Sequence, residues 1–259
     1  MTTSTFSPLL SLFTLAPSLR RASGHALSLY VPGSPEGYDT HVYDLELGHL
    51  LRRYRGRLSD EEREVLEREF PRLRSHIGVV RPAGFPAVAG FADEANGVLE
   101  LIGLRASTDA RLEVGELLLA PILRQLEEFP PAVVAVVDKE HAATFSFILE
   151  VVKPLERVVG LDVRHTRAGG TSASSNQRRA DNRARTNLDS AVRTVEREME
   201  SGAYKTLYIA GPSEARAEFE QLLPDTLRSA VGGHVSASLD SPLLEHELRE
   251  MLKKLTATT

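Results

Sequence analysis

At 259 residues the chain has room for one large domain or two ordinary ones, and its 42% hydrophobic content suffices to bury a sizeable core. It contains no cysteine, which excludes a disulfide framework, a thiol nucleophile and a cysteine-ligated metal, and which fits a cytoplasmic setting. The formal net charge is −5, so any strongly positive segment stands out against its background.

Pro8 to Pro17 is a short apolar run with its basic residues after it. That is the reverse of a signal peptide, and the run falls short of the roughly 18 apolar residues of a membrane span. It reads as a loosely ordered lead-in or a short helix. Ala26–Val31 predicts a strand closed by the turn Pro32-Gly33-Ser34-Pro35. Thr40 to Arg57 predicts a helix with Leu45, Leu50, Leu51 and Tyr54 on its apolar stripe. A second helix opens at Ser59-Asp60-Glu61-Glu62, where the serine caps and the glutamate three residues on reaches back. Val65, Leu66, Phe70, Leu73 and Ile77 continue its buried face, and Pro71 is expected to bend or end it. Strands at Ala87–Phe91 and Val98–Leu104 flank a turn at Asp93–Gly97. Gly115–Glu128 predicts a helix with Leu118, Ile122, Leu123 and Leu126 inward. Glu127-Glu128-Phe129-Pro130-Pro131 breaks the pattern, which gives expected domains over residues 1–128 and 130–259.

The second half opens with Ala132–Val137, a continuous apolar run suited to a fully buried central strand. A turn at Asp138-Lys139-Glu140-His141 leads to a strand at Thr144–Val151 and a third at Leu155–Val163. A long helix is predicted from about Asn176 to Ser201, with Leu188, Ala191, Val192, Val195 and Met199 on one face and Gly202 at its end. Thr206–Ala210 is another buried strand. Gly211-Pro212-Ser213 reads as a turn with a capping serine before the helix Glu214–Leu223, then come a strand at Val235–Leu239 and a helix capped by Ser241. A strand meander followed by strand–helix alternation argues α/β, two domains, the second a mixed sheet covered by helices.

The most informative segment lies between the third strand and the long helix. From Arg164 to Arg185 there are six arginines, no lysine and one acid, Asp181. Arg164 to about Ser175 has no periodicity, at the upper limit of ordinary connections, and Gly169-Gly170 lets the backbone approach a ligand closely. Arg178 and Arg179 fall in the expected first turn of the helix, where cations oppose the macrodipole. Arginine forks beside free helix N–H groups make a phosphate site. The alternative reading is a flexible surface loop followed by a basic, solvated helix face. It leaves unexplained why arginine excludes lysine and why a glycine pair sits at the centre.

Gly169-Gly170-Thr171-Ser172-Ala173, followed by Arg178-Arg179, resembles the Gly-Gly-Gln-Ser-Ala loop of the archaeal and eukaryotic class-1 peptide release factors. The meander before it, the long helix after it and the Leu207–Pro212 strand and turn resemble their middle domain. The same elements resemble the bacterial and archaeal relatives, including the Vms1-like peptidyl-tRNA hydrolases. Ala26–Tyr30 with its proline turn and Gly115–Leu123 are similar to the N-terminal domain of the bacterial members. The resemblance implies a ribonuclease H-like second domain and a factor that enters the ribosome, with ribosomal RNA and peptidyl-tRNA as partners. A translational GTPase stays open as a further partner; no membrane is implied, and no cofactor or metal.

By the same resemblance Gly169, Gly170 and Thr171 would lie at the catalytic tip, with Gln177 the only glutamine nearby. Arg164, Arg167, Arg178, Arg179, Arg183 and Arg185 would hold RNA phosphates, and His165 beside them would contact RNA or simply end a strand. The family uses its loop glutamine to help position a water. Thr171 stands in that place here, so two readings stay open: hydrolysis of peptidyl-tRNA in termination or ribosome rescue, and ribosome binding without chemistry in hibernation or stall recognition.

Other chemistry is thinly represented. Asp138, Asp162 and Asp181 are the carboxylates a metal-dependent nuclease would need together, against a bland reading of Asp138 as a turn residue. Glu245-His246-Glu247 reads as an exposed helix face, and no G-x-S-x-G serine elbow occurs.

Overall fold

The computed structural model describes residues 5–33, 39–138, 141–158 and 173–257, and two compact units emerge, Pro8–Phe129 and Pro130–Thr259, with residues 5–7 joining the latter. In the first unit, α1 (Pro8–Leu15) buries Leu12 and Leu15, so the apolar lead-in is a packed helix. β1 (Ala26–Pro32) is followed by α2 (Thr40–Arg55), α3 (Asp60–Val80), β2 (Ala87–Asp93), β3 (Val98–Leu104), β4 (Arg111–Gly115) and α4 (Ala120–Glu128). The sheet is antiparallel in the order β3-β2-β1-β4, with Leu29 opposite Gly90 on one side and Leu112 on the other. β1 is central, which is why Ala26–Val31 is apolar at nearly every position. Tyr43, Leu47 and Leu50 of α2 and Leu66, Phe70, Leu73 and Ile77 of α3 share one core with Leu27, Leu29 and Val31. The α2 stripe differs from the sequence expectation at one position, Leu45, which is exposed, and gains Tyr43 and Leu47, while Leu50, Leu51 and Tyr54 lie on the core side as expected.

Two further expectations fail for local reasons. Pro71 does not end α3, because Pro71 and Glu67, whose carbonyl it deprives of a partner, both lie on the solvent side. Leu73 and Ile77 keep the buried face running through this point. Gly115 does not start a helix. Its φ of 123° is outside the helical region, and it ends the edge strand β4 instead; α4 begins at Ala120 with Pro121 in its first turn.

In the second unit β5 (Ala132–Val137), β6 (Ala142–Ile148) and β7 (Val151–Val158) form an antiparallel meander. α5 (Ala173–Glu200) then crosses to β8 (Thr206–Ala210), which lies parallel to β5. α6 (Ser213–Leu222), the single turn α7 (Asp225–Arg228), β9 (Val231–Val235) and α8 (Leu244–Ala257) complete the order. The sheet runs β7-β6-β5-β8-β9, the mixed, helix-covered sheet expected for this half. Ala132, Val134 and Val136 share a core with Leu248 and Leu252 of α8. The pleat sends Val133, Ala135 and Val137 to the opposite face, the side on which α5 and α6 lie.

The meander sits earlier than its sequence suggests. β6 ends at Ile148, and Leu149 and Glu150 make a two-residue hairpin turn with φ of 48° and 66°. Glu150 reaches Lys253 Nζ at 3.0 Å and Arg249 Nη2 at 3.9 Å on α8, so the turn is tied down by a helix remote in sequence. The strand placed at Val235–Leu239 is instead β9, Val231–Val235, with Gly232-Gly233 in its middle. A Cβ at Gly232 would approach Thr206 Cγ2 to 2.5 Å and the Tyr208 ring to 3.0 Å, so glycine is what lets this edge strand pack.

Candidate functional site

The register of the second sheet fixes where its chemistry can lie. Val137 pairs with Ala142 and Ala142 with Val158, while Ala210 pairs with Val136 and with Val235. The carboxyl ends of β5, β7, β8 and β9 therefore meet along one edge. In open α/β sheets such an edge is where ligands bind. The chain leaves β7 at this edge and resumes at Ala173 as α5. Arg164, His165, Arg167, Gly169, Gly170 and Thr171 belong to the connecting stretch and lie outside the described residues, as does Asp162.

α5 supplies the rest of the predicted site. Its backbone is helical from Ala173, three residues earlier than expected, so Arg178 and Arg179 lie with Gln177 in the second turn rather than in the first, and Arg183 belongs to regular helix as well. Their side chains, like that of Asp181, lie outside the described residues; Arg185 is exposed. From Asn187 onward the helix is anchored, with Leu188, Ala191, Val192 and Val195 buried on the sheet side. Helical periodicity divides the basic positions: Arg179 and Arg183 are four apart and share one flank, while Arg178 and Arg185 are seven apart and share the other. Position 177 is in line with Val195, five turns away, on the stripe that farther along faces the sheet. No acid occupies the first turn of α5.

Two further features line the same edge. Asp138 closes the β5–β6 turn: its Oδ1 accepts from His141 N at 2.6 Å, and its own N–H donates to His141 O at 3.0 Å. This carboxylate is occupied as the turn residue of the bland reading. Among the described residues no group of three His, Asp or Glu side chains is placed to hold a metal ion. Next to it, Gly211 has φ 127°, and a Cβ there would fall 2.0 Å from Val137 O. The glycine lets the β8–α6 turn cross directly over the end of β5. It opens a cleft of about 510 Å³ bordered by Pro212, Ser213, Arg216, Ser236, Ser238 and Glu247. Ser213 is not the expected cap. α6 starts on Ser213 itself, with Pro212 before it and no side-chain cap bond. The cleft leaves no local signal in the sequence, since the close approach of Gly211 to Val137 joins segments more than 70 residues apart.

The model of the bacterial archaeo-eukaryotic release factor family 10 matches residues 118–254, more than half of the chain. The match runs from the approach to α4 into α8 and takes in the whole Arg164–Arg185 segment. No curated protein matches the sequence. Among solved structures, one described as an archaeal protein is similar at 15% identity and a TM-score of 0.41, over 98% of this chain and 73% of that one. The archaeal translation termination factor aRF1 follows at 14% identity and a TM-score of 0.38, over 98% and 76%. Pelota from Archaeoglobus fulgidus is similar at 15% identity and a TM-score of 0.32, over 66% of this chain and 48% of its own length.

Proposed function

The chain belongs to the bacterial archaeo-eukaryotic release factor family 10, and on that premise we propose that it is a ribosome-associated factor that brings Gly169-Gly170 to the acceptor end of peptidyl-tRNA and hydrolyses the ester. The observation that carries this reading is the family match across the Arg164–Arg185 segment and both elements that flank it. In the reaction a water oxygen bonds to the ester carbonyl carbon, the carbon–oxygen bond to the terminal ribose breaks, and the proton lost by the water passes to the departing ribose oxygen, which becomes the hydroxyl. Gly169 and Gly170, with no Cβ, let main-chain N–H groups approach the reacting carbonyl, where they stabilise developing negative charge. The arginines on the two flanks of α5, with Arg164 and Arg167, hold RNA phosphates and set the approach. The setting is the cytoplasm, with ribosomal RNA and peptidyl-tRNA as partners.

Thr171 favours a second reading, because it stands where the related loops carry glutamine. A factor that keeps the arginines but lacks the water-positioning residue binds the ribosome and leaves the ester intact, as in hibernation or stall recognition. One experiment separates the two. Ribosomes carrying labelled peptidyl-tRNA are mixed with the full chain and with Gly170→Ala. Peptide release that falls at least 100-fold in the variant supports the hydrolase. Co-sedimentation without release, in wild type and variant alike, supports the docking factor. Absence of both release and binding sinks the family-based reading of the loop.

A further inference from the structure

At the far end of α5, roughly 40 Å along the helix from Ala173 at 1.5 Å per residue, lies a pocket of about 290 Å³. It belongs wholly to the second unit. Phe6 forms one wall, held there because Ser7 N–H donates to Gly202 O at 2.9 Å just past the end of α5. Met199, Pro224 and Leu227 complete an apolar floor, against which lies the ring of Tyr204, itself only 3% exposed. The volume is at the lower limit for small-molecule sites. It suits one or two large apolar side chains better than a nucleotide or an extended cofactor.

The rim gives the occupant a sign. Glu196 and Glu200 are four residues apart on α5 and so share one face, and both border the pocket. Lys205 is the single cation among the lining residues, so two carboxylates against one ammonium leave the mouth net negative. An apolar floor beneath an acidic rim is complementary to an apolar anchor flanked by basic residues. It is also opposite in sign to the arginine-rich start of the same helix, so nucleic acid is repelled at this end.

We propose that this pocket docks a protein partner through a short basic segment bearing one or two large apolar side chains. The inference stands apart from the reading of the Gly169-Gly170 segment, since it rests on the other end of α5. Occupancy here leaves the arginines at 178–185 free.

The test uses the full chain and two fluorescein-labelled peptides as probes: acetyl-Lys-Leu-Phe-Lys-amide and acetyl-Glu-Leu-Phe-Glu-amide. Fluorescence anisotropy is expected to show the basic peptide binding at least 5-fold more tightly than the acidic one. Glu196→Gln combined with Glu200→Gln should remove that preference, because it leaves the floor intact. Met199→Lys should weaken the basic peptide at least 10-fold by placing a like charge in the pocket. Circular dichroism melts of both variants verify that they fold, and the double Gln variant, altering only rim groups, decides the matter if Met199→Lys does not. Equal binding of the two peptides to the wild type overturns the proposal. So does a preference for the basic peptide that survives the Gln substitutions.

Discussion

α3 and α5 begin in opposite ways. α3 is capped on every count: Ser59 Oγ accepts from Glu62 N at 3.2 Å, Glu62 Oε2 accepts from Ser59 N at 2.7 Å, and Asp60, Glu61 and Glu62 fill the first turn. The Ser59 N–H, with its hydroxyl behind it, holds the Glu62 carboxyl below the usual carboxylate range. α5 has no acid in its first turn and places Arg178 and Arg179 directly after it. One helix start is satisfied from within the chain, whereas the other has no acid of its own and carries positive charge just past it. Where a sequence gives up local stability without an internal partner, function is the usual reason.

The comparison breaks most visibly if α5 is given the kind of start that α3 has. Arg178→Glu with Arg179→Glu places acids in the second turn of α5, past the first turn in which the macrodipole acts most strongly. Thermal unfolding of the double variant should therefore stay close to that of the wild type, while ribosome binding falls on the order of 100-fold or more through two charge reversals against phosphate. A variant that unfolds like the wild type and still binds as tightly would show that these arginines face no anion. The same site can be read by salt. If four or five arginines meet phosphates, log affinity for ribosomes falls with log salt at a slope of about −3 to −4, and Arg178→Ala with Arg179→Ala flattens it by about 1.5 to 2.

The converse change belongs to α3. Ser59→Ala removes the cap and should cost about 1 kcal/mol, seen as a lower midpoint in urea. Ribosome binding should stay within 2-fold, since nothing at this helix start is left for a ligand. A binding loss comparable to that of the α5 variants would mean the two helix starts do not differ in purpose.

The contrast also explains which parts of the molecule are legible in the sequence. The α3 start, β5, β3 and β8 are legible because their determinants are local: a capping serine with its glutamate, or an apolar run bounded by turn residues. β4 is not, since only Leu112 is fully buried in an edge strand whose alternation is short. β9 hides behind Gly232-Gly233, a pair that reads as a turn until Thr206 and Tyr208 are seen to occupy the space a side chain would need. At the candidate site the glycine pair and the arginines are visible as chemistry in the sequence. The carboxyl edge of the sheet and the crossing of Gly211 over Val137 depend on strand order, which no local pattern records.

Leu149-Glu150 supplies the control for this argument. It too breaks a local rule, with two non-glycine residues at positive φ, yet here the return lies inside the fold, in the Glu150 pairing with Lys253 and Arg249. Left-handed backbone costs a residue with a Cβ about 1 kcal/mol or a little more, and a partly exposed ion pair returns less than that. Glu150→Ala loses the ion pair and keeps the strain. Glu150→Gly loses the same pair but removes the strain, offset in part by the entropy glycine gives up on folding. The glycine variant should therefore unfold at higher urea than the alanine variant, by a few tenths of a kcal/mol to about 1, with ribosome binding unchanged in both. Equal midpoints would mean the turn is not strained. Tighter or weaker ribosome binding would mean that the strain serves a ligand, as proposed for the arginines of α5, and the distinction between repaid and unrepaid rule-breaking would then fail.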